Sequence, residues 1–193
     1  LTTADLSALT TVGGEVIFVD TNSLTTFALP SLLAAAGNVS FNDDGNGGGA
    51  LNQASVNGLL VRLAALDGTG GTTTYDSHVV DLSRGTNATP SGAGLTAKAT
   101  LEGRGNTVVI NRLFAITAVN TGTPSFTVSG DQSAYFTNGA EFQVFGSTGN
   151  DAPVYTCDGN AAFGAGVTVI VTNEAIPDST ADGTIRVWTS VPE

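Results

Sequence analysis

The sequence predicts an α+β, mostly β fold. Residues 1–112 read as a short, irregular solenoid of parallel strands with short helices, and residues 113–193 as a small all-β sandwich or barrel. Three observations predict this. A strand–loop–helix–strand unit spans residues 79–111 (VVDLSRGTNATPSGAGLTAKATLEGRGNTVVIN) and recurs loosely upstream. A single unit of that kind leaves its apolar face uncovered, so it implies stacked neighbours. After Asn111 the apolar runs become short and alternating, with turn residues at intervals of roughly eight to twelve, as all-β units have.

In chain order, residues 1–14 read as a lead-in that caps the first strand. Asp5 is placed to start a short helical turn putting Leu6, Leu9 and Val12 on one side. The run Val16-Ile-Phe18-Val-Asp20 is a strand. Residues 30–36 (PSLLAAA) then read as a helix, with Pro30 in its first turn and Gly37 as its C-terminal cap. Val39-Ser-Phe41-Asn-Asp43 is the second strand. The next helix has the clearest signal: Val56, Leu59, Leu60 and Leu63 fall at i, i+3, i+4 and i+7, Asn52 is its N-cap, and Asp67-Gly68 ends it. Val79, Val80 and Leu82 form the third strand. A helix is expected over 95–102 from its Ala, Lys, Leu and Glu content, although Leu95, Ala97, Ala99 and Leu101 alternate as in a strand. Val108 to Ile110 is the fourth strand. Aligning Val16, Val39, Val79 and Val108 gives steps of about 23, 40 and 29 residues, two of which match the roughly 20–29 of leucine-rich repeats. Leu9, Val12, Val16, Phe18, Asn22, Leu24, Phe27 and Leu29 approximate that spacing, with Asn side chains available to satisfy backbone at the turns. The long step holds two Gly/Thr/Asn-rich insertions, at residues 44–49 and 69–77.

Beyond a boundary near Arg112, six strands are expected, near residues 113–119, 125–128, 141–145, 154–157, 167–172 and 184–189.

Composition narrows function. Six Lys+Arg against 17 Asp+Glu give a net charge of −11. That argues against nucleic acid, which needs cations to neutralise phosphate, and equally against anionic membrane surfaces. No run approaches the ~18 apolar residues of a membrane span, and no basic-then-apolar leader is visible. With Leu first and no Met, the chain reads as processed or as a fragment. One cysteine, Cys157, permits no intrachain disulfide and reads as a small buried hydrophobe, since no basic residue or His lies near it in sequence.

Several motifs invite chemistry. Gly45-Asn-Gly47-Gly-Gly-Ala50, with Asp67 about 20 residues on, matches the dinucleotide fingerprint. The preceding strand alternates with polar residues, however, whereas a Rossmann central strand is nearly all apolar, and a flexible insertion is the better reading. Asn42, Asp43, Asp44 and Asn46 form an oxygen-rich cluster that lacks the Glu of a calcium loop, and a solvated turn is favoured there as at Asp178, Asp182 and Asn150-Asp151. His78, the single histidine, has no nucleophile elbow to serve. One His and one Cys exclude a His/Cys metal cluster. Paired carboxylates for glycoside hydrolysis are not marked. Asn38-Val-Ser40 and Asn87-Ala-Thr89 are formal glycosylation sequons. Tyr75, Tyr135, Tyr155 and Trp188 would line a sugar platform if exposed, but half-buried packing is the commoner use of such residues. No catalytic, cofactor-binding or metal-ligating residue is assigned.

Two stretches carry a resemblance. Residues 80–105 (VDLSRGTNATPSGAGLTAKATLEGRG) with Thr107-Val-Val-Ile-Asn111 resemble the leucine-rich-repeat-like segment of phage tail-fibre and related virion proteins. Phe126-Thr-Val-Ser-Gly-Asp131, residues 142–151 (FQVFGSTGND) and Thr180-Ala-Asp-Gly-Thr-Ile185 resemble a small β module that recurs in phage structural proteins. Together these cover about residues 16–112 and 113–185. The long insertions of the second repeat depart from the regular pattern, and the motifs shape backbone rather than chemistry. The resemblance implies a non-enzymatic protein on the bacteriophage virion surface: a tail fibre, spike or head-decoration subunit. Its partners would be other virion proteins and symmetric copies of itself, and its loops at 44–49 and 69–77 would face a host-surface glycan or protein. The second expectation is a secreted bacterial adhesin or carbohydrate-binding module, and the third a polysaccharide depolymerase.

Overall fold

A computed structural model describes residues 1–189 apart from 20, 42–48, 84 and 152–153. Among the described residues the fold is α+β, with two α-helices, a mixed ten-stranded sheet and two two-stranded sheets. The chain divides into two compact units, the first spanning Leu1–Asn111 and the second beginning at Arg112.

The first unit is built on parallel pairs that share one offset. β1 (Thr3–Asp5) pairs with β4 (Thr26–Ala28), β2 (Thr11–Val12) with β5 (Ala34–Ala35), and β3 (Val16–Ile17) with β6 (Val39–Ser40). The same 23-residue step separates Thr25 from Thr2 and Asn38 from Glu15 in their hydrogen bonds. β6 continues in parallel to β7 (Val79–Leu82), and β7 to the start of β8 (Thr107–Asn120). Helix α1 (Gln53–Ala64) lies between β6 and β7 in sequence, and α2 (Ala93–Gly103) between β7 and β8.

The valine-led runs do pair in parallel. Val16, Val39, Val80 and Val108 form one rung, and Leu82 sits opposite Ile110. The register differs by one from the expected alignment: Val80, not Val79, faces Val39. Period-2 alternation explains it, since Val80 is fully buried while Val79 is 39% exposed. Phe18 stacks on Phe41 with centroids 4.8 Å apart, and Phe27 meets both edge-on.

Helix α1 forms as its stripe demands. Val56, Leu59, Leu60 and Leu63 are all buried, and Asn52 Oδ1 accepts the Ser55 N–H at 2.9 Å as the N-cap. In α2 the buried set is Gly94, Ala97, Lys98 and Leu101. That spacing is helical, so the alternation of apolar residues there is incidental.

The helix expected over 30–36 does not form. Leu33 and Ala34 N–H donate to Thr10 O, and Ala36 N–H to Val12 O, which builds β5 against β2. Seven residues are too few to repay helix nucleation when a neighbouring strand offers the same bonds. Residues 1–14 are likewise not a helical lead-in. They carry β1 and β2, and Asp5 Oδ1 closes a turn on Ser7 N–H.

Buried asparagines replace ladder bonds at the turns of this unit. Asn87 Oδ1 accepts Leu51 N–H while its Nδ2 donates to Phe41 O and Leu82 O. Asn106 Oδ1 accepts His78 N–H, and its Nδ2 donates to Tyr75 O and Leu101 O.

The second unit is antiparallel. The later part of β8 pairs with β9 (Ser125–Ser129), β9 with β13 (Val167–Val171), and β13 with β12 (Ala162–Gly164). β10 (Glu141–Phe145) pairs with β11 (Tyr155–Thr156) and β14 (Thr184–Thr189), and β14 neighbours β8. Each of the six expected strands has a counterpart, and β12 is an additional one. The barrel alternative is not formed. Among the described residues β11 and β13 meet at the isolated bridge Cys157↔Thr172, flanked by Asp158 N–H to Val171 O and Asn173 N–H to Thr156 O, and no continuous strand ladder joins them. Phe126, Phe136, Phe142, Val144, Ile170, Ile185 and Val187 fill this unit's core. Among the described residues no helix is long and apolar enough to cross a membrane.

Candidate contact surface

The loop at residues 69–77 is held at both ends and open at its tip. Asp67 Oδ1 accepts from the Thr69 N–H at 2.9 Å and its hydroxyl at 2.6 Å. These bonds hold the Asp67 carboxyl below the usual carboxylate range. At the other end Tyr75 N–H donates to Leu66 O, and Tyr75 is fully buried with its hydroxyl on Gly37 O at 3.1 Å. Between them Gly70 and Gly71 adopt positive φ, 58° and 84°, which allows the reversal. The tip offers threonine hydroxyls and backbone groups but no charge. Residues 44–48 of the other expected contact loop lie outside the described residues, as do most of the glycine fingerprint and the cluster at residues 42–46. Gly49, the described end of that fingerprint, donates its N–H to Phe41 O, and a Cβ there would sit 2.6 Å from Asn87 Oδ1. That glycine packs closely against Asn87.

A groove of about 300 Å³ runs between β4 and α1. Phe27, Leu29 and Pro30 line it, with Asn52, Ser55 and Arg62 from the helix. Its polar groups are mostly engaged. Ser55 Oγ accepts Phe27 N–H, Asn52 caps α1, and the Arg62 guanidinium donates to Leu32 O. The buried Arg62 Nε has no partner. The groove can seat a small apolar group but presents no acid–base pair or nucleophile.

The acidic loops of the second unit hold their own backbone. Asp182 accepts from the Ser147 and Thr148 hydroxyls and the Thr148 N–H, and Asp178 Oδ1 from Thr180 N–H. Both carboxyls are held below the usual range, chiefly by the Thr148 bond at Asp182 and the Thr180 bonds at Asp178. Asn150 Nδ2 donates to Asp178 O and its Oδ1 accepts Asp178 N–H. The described residues contain no group of three His, Cys, Asp or Glu arranged to hold a metal ion.

The remaining candidates are structural in their contacts. The His78 ring lies 4.8 Å from that of Tyr75. Cys157 is buried, and burial, followed by the Glu174 carboxylate, pushes its thiol up to about 11. Tyr155 is buried, and Tyr135 is half-buried with the Arg112 guanidinium 4.6 Å from its ring centroid. The tyrosines therefore do not assemble a sugar platform; the Trp188 side chain lies outside the described set. Asn87, in one sequon, is buried with both side-chain polar atoms bonded. The groove and β12 were missed at the sequence level, because neither has a motif; each arises from elements meeting in space. No family model matches the chain, and no curated protein or solved structure is found to be similar to it.

Proposed function

We propose that this protein is a non-enzymatic structural subunit of a bacteriophage virion surface, a fibre, spike or decoration protein. In this reading the first unit is a short, degenerate leucine-rich-repeat-like solenoid and the second a small β sandwich. The observation that carries the reading is how the polar side chains are used. Asn87, Asn106, Asp67, Asp178 and Asp182 are all engaged in holding backbone or neighbouring hydroxyls. Such a molecule is a scaffold that presents loops and edges, and the 69–77 tip is its host-facing contact. The net charge of −11 keeps it soluble at the high local concentration of a particle surface. The adhesin or carbohydrate-module alternative loses its aromatic platform, since Tyr75 and Tyr155 are buried.

The test is immunogold labelling of purified phage particles from the source population with antibody raised against the recombinant chain, paired with peptide mass spectrometry of the same particles. Regularly placed label and stoichiometric peptides are expected. Particles free of the chain, with the protein recovered only from the soluble fraction, sink the proposal.

A further inference from the structure

We propose that the groove between β4 and α1 binds the C-terminal end of a partner polypeptide. The ligand is an extended segment with small apolar side chains that runs parallel to β4 and sets its terminal carboxylate at Arg62. The site lies entirely within the first unit and does not depend on the virion reading.

The β4 backbone supplies one half of the site. Thr26 N–H donates to Thr2 O and Ala28 O accepts Leu6 N–H, so Thr26 and Ala28 turn their backbone groups to β1. Phe27, between them, turns its N–H and C=O the other way. So does Leu29 N–H, which shares a trans peptide with Ala28 C=O. On that side Ser55 Oγ accepts Phe27 N–H and Thr25 O accepts Asn52 N–H. Phe27 C=O and Leu29 N–H have no hydrogen-bond partner among the described residues. Both residues line the groove, and they are only 3% and 4% exposed. Backbone groups in such surroundings are rarely left unmatched. An acceptor on one residue and a donor two residues on is the pattern that one residue of a parallel strand satisfies. Its N–H meets Phe27 C=O and its C=O meets Leu29 N–H.

Helix α1 supplies the other half and the polarity. It runs in the same direction as β4: Asn52 meets Thr25, Ser55 meets Phe27 and Arg62 meets Leu32. A peptide parallel to β4 therefore ends at Arg62. Arg62 is the one charged residue among those lining the groove, and its guanidinium donates to a neutral carbonyl, Leu32 O. Among the described residues the salt bridge is Lys98–Glu102, so Arg62 has no carboxylate of its own. An α-carboxylate supplies that counter-charge. Net charge −11 disfavours acidic residues elsewhere in the ligand. Space is kept by Gly58, which lines the groove from the helix side. Glycine weakens a helix interior, yet a Cβ there would meet nothing within 4 Å, so no packed neighbour requires it. The volume of about 300 Å³ is at the small end of ligand sites, which span about 300–1,000 Å³, and suits short side chains and weak binding.

Titration of the isotope-labelled full chain with the peptide Lys-Ser-Thr-Ala-Val, followed by two-dimensional NMR up to millimolar peptide, tests this. Saturable shifts are expected at the Leu29 and Gly58 amides. The same peptide with an amidated C-terminus should bind about tenfold more weakly, and Arg62→Gln should lose about as much for the free acid. Gly58→Leu leaves Arg62 in place, fills the groove and should abolish the shifts. The spectra of both variants report directly that the fold is kept. Three results overturn the proposal: a Leu29 amide that does not move, equal binding of free acid and amide, or folded Arg62→Gln and Gly58→Leu chains that bind as the wild type does. The particle-labelling experiment decides the virion reading separately.

Discussion

Asn87 uses both of its side-chain polar atoms on backbone groups that have few alternatives. Leu51 N–H reaches Asn87 Oδ1 at 2.9 Å, and Leu82 O receives one of the Nδ2 hydrogens. Asn87 is only 1% exposed, so water cannot replace it. Asn87→Ala leaves buried backbone groups unbonded and should cost about 3 kcal/mol in urea denaturation. Thr89→Ala, which abolishes the same sequon, should cost far less, since it loses one half-buried bond to Asn111 O. Equal losses would mean the asparagine is not the support described. Cys157 makes a second residue-scale prediction. Its thiol ionises at 9.0 ordinarily and at about 11 when folded, because burial disfavours the thiolate. Above pH 9.0 the unfolded chain gives up this proton first. The stabilisation is complete below that pH and is lost as pH rises through the folded value. Denaturation midpoints should fall between pH 9 and 11, and Cys157→Ala should flatten part of that slope. The rest belongs partly to Tyr75, whose phenol burial also raises.

At the scale of elements, what could be read from sequence was what periodicity and capping encode. The α1 stripe and the Asn52 cap are local, and they appear as written. So do the parallel valine runs, because β-branched residues between turn signals leave few other pairings. The peptide 30–36 misled because its composition favours helix while its backbone is recruited by Thr10 and Val12, a non-local fact. β12 was invisible because Ala-Phe-Gly is three residues with one strand former between two residues depleted in strands; the Ala165-Gly166 turn folds it back on β13. The approach of α2 to α1 was hidden for the same reason. A Cβ on Gly94 would stand 2.1 Å from Asn57 Oδ1, and Asn57 itself is held by Ser91 through two bonds. Gly94→Ala removes backbone freedom from the unfolded chain and suits a helix, so propensity alone predicts a gain of up to about 1 kcal/mol. Here the contact should win, giving a net loss of about 1–3 kcal/mol by overpacking. Combining it with Asn57→Ala should restore most of that loss. A stabilised single variant would show that the helices yield easily.

For the whole molecule, sequence alone could reach an acidic chain with a change of pattern near Arg112, and little about its loops and short edge strands, because these carry no motif. The parallel ladder of the first unit gives its energetics a direction. When successive coils touch mainly their neighbours, stability is close to a sum of interfaces, and a residue between two coils matters more than the same residue at an end. Val16, Val39, Val80 and Val108 occupy one rung. Val39 and Val80 are flanked on both sides and are at most 1% exposed, while Val16 belongs to the outermost described strand and is half-buried. Truncating Val80 to Ala should cost about 2 kcal/mol, from lost burial plus the cavity left between two packed neighbours. Val16→Ala should cost less than half as much, because that side chain is already partly in water and the chain around it can relax. Equilibrium urea unfolding of the two variants measures the difference directly. If the end position proves as costly as the middle one, the first unit does not behave as a stack of nearest neighbours but as a single cooperative core.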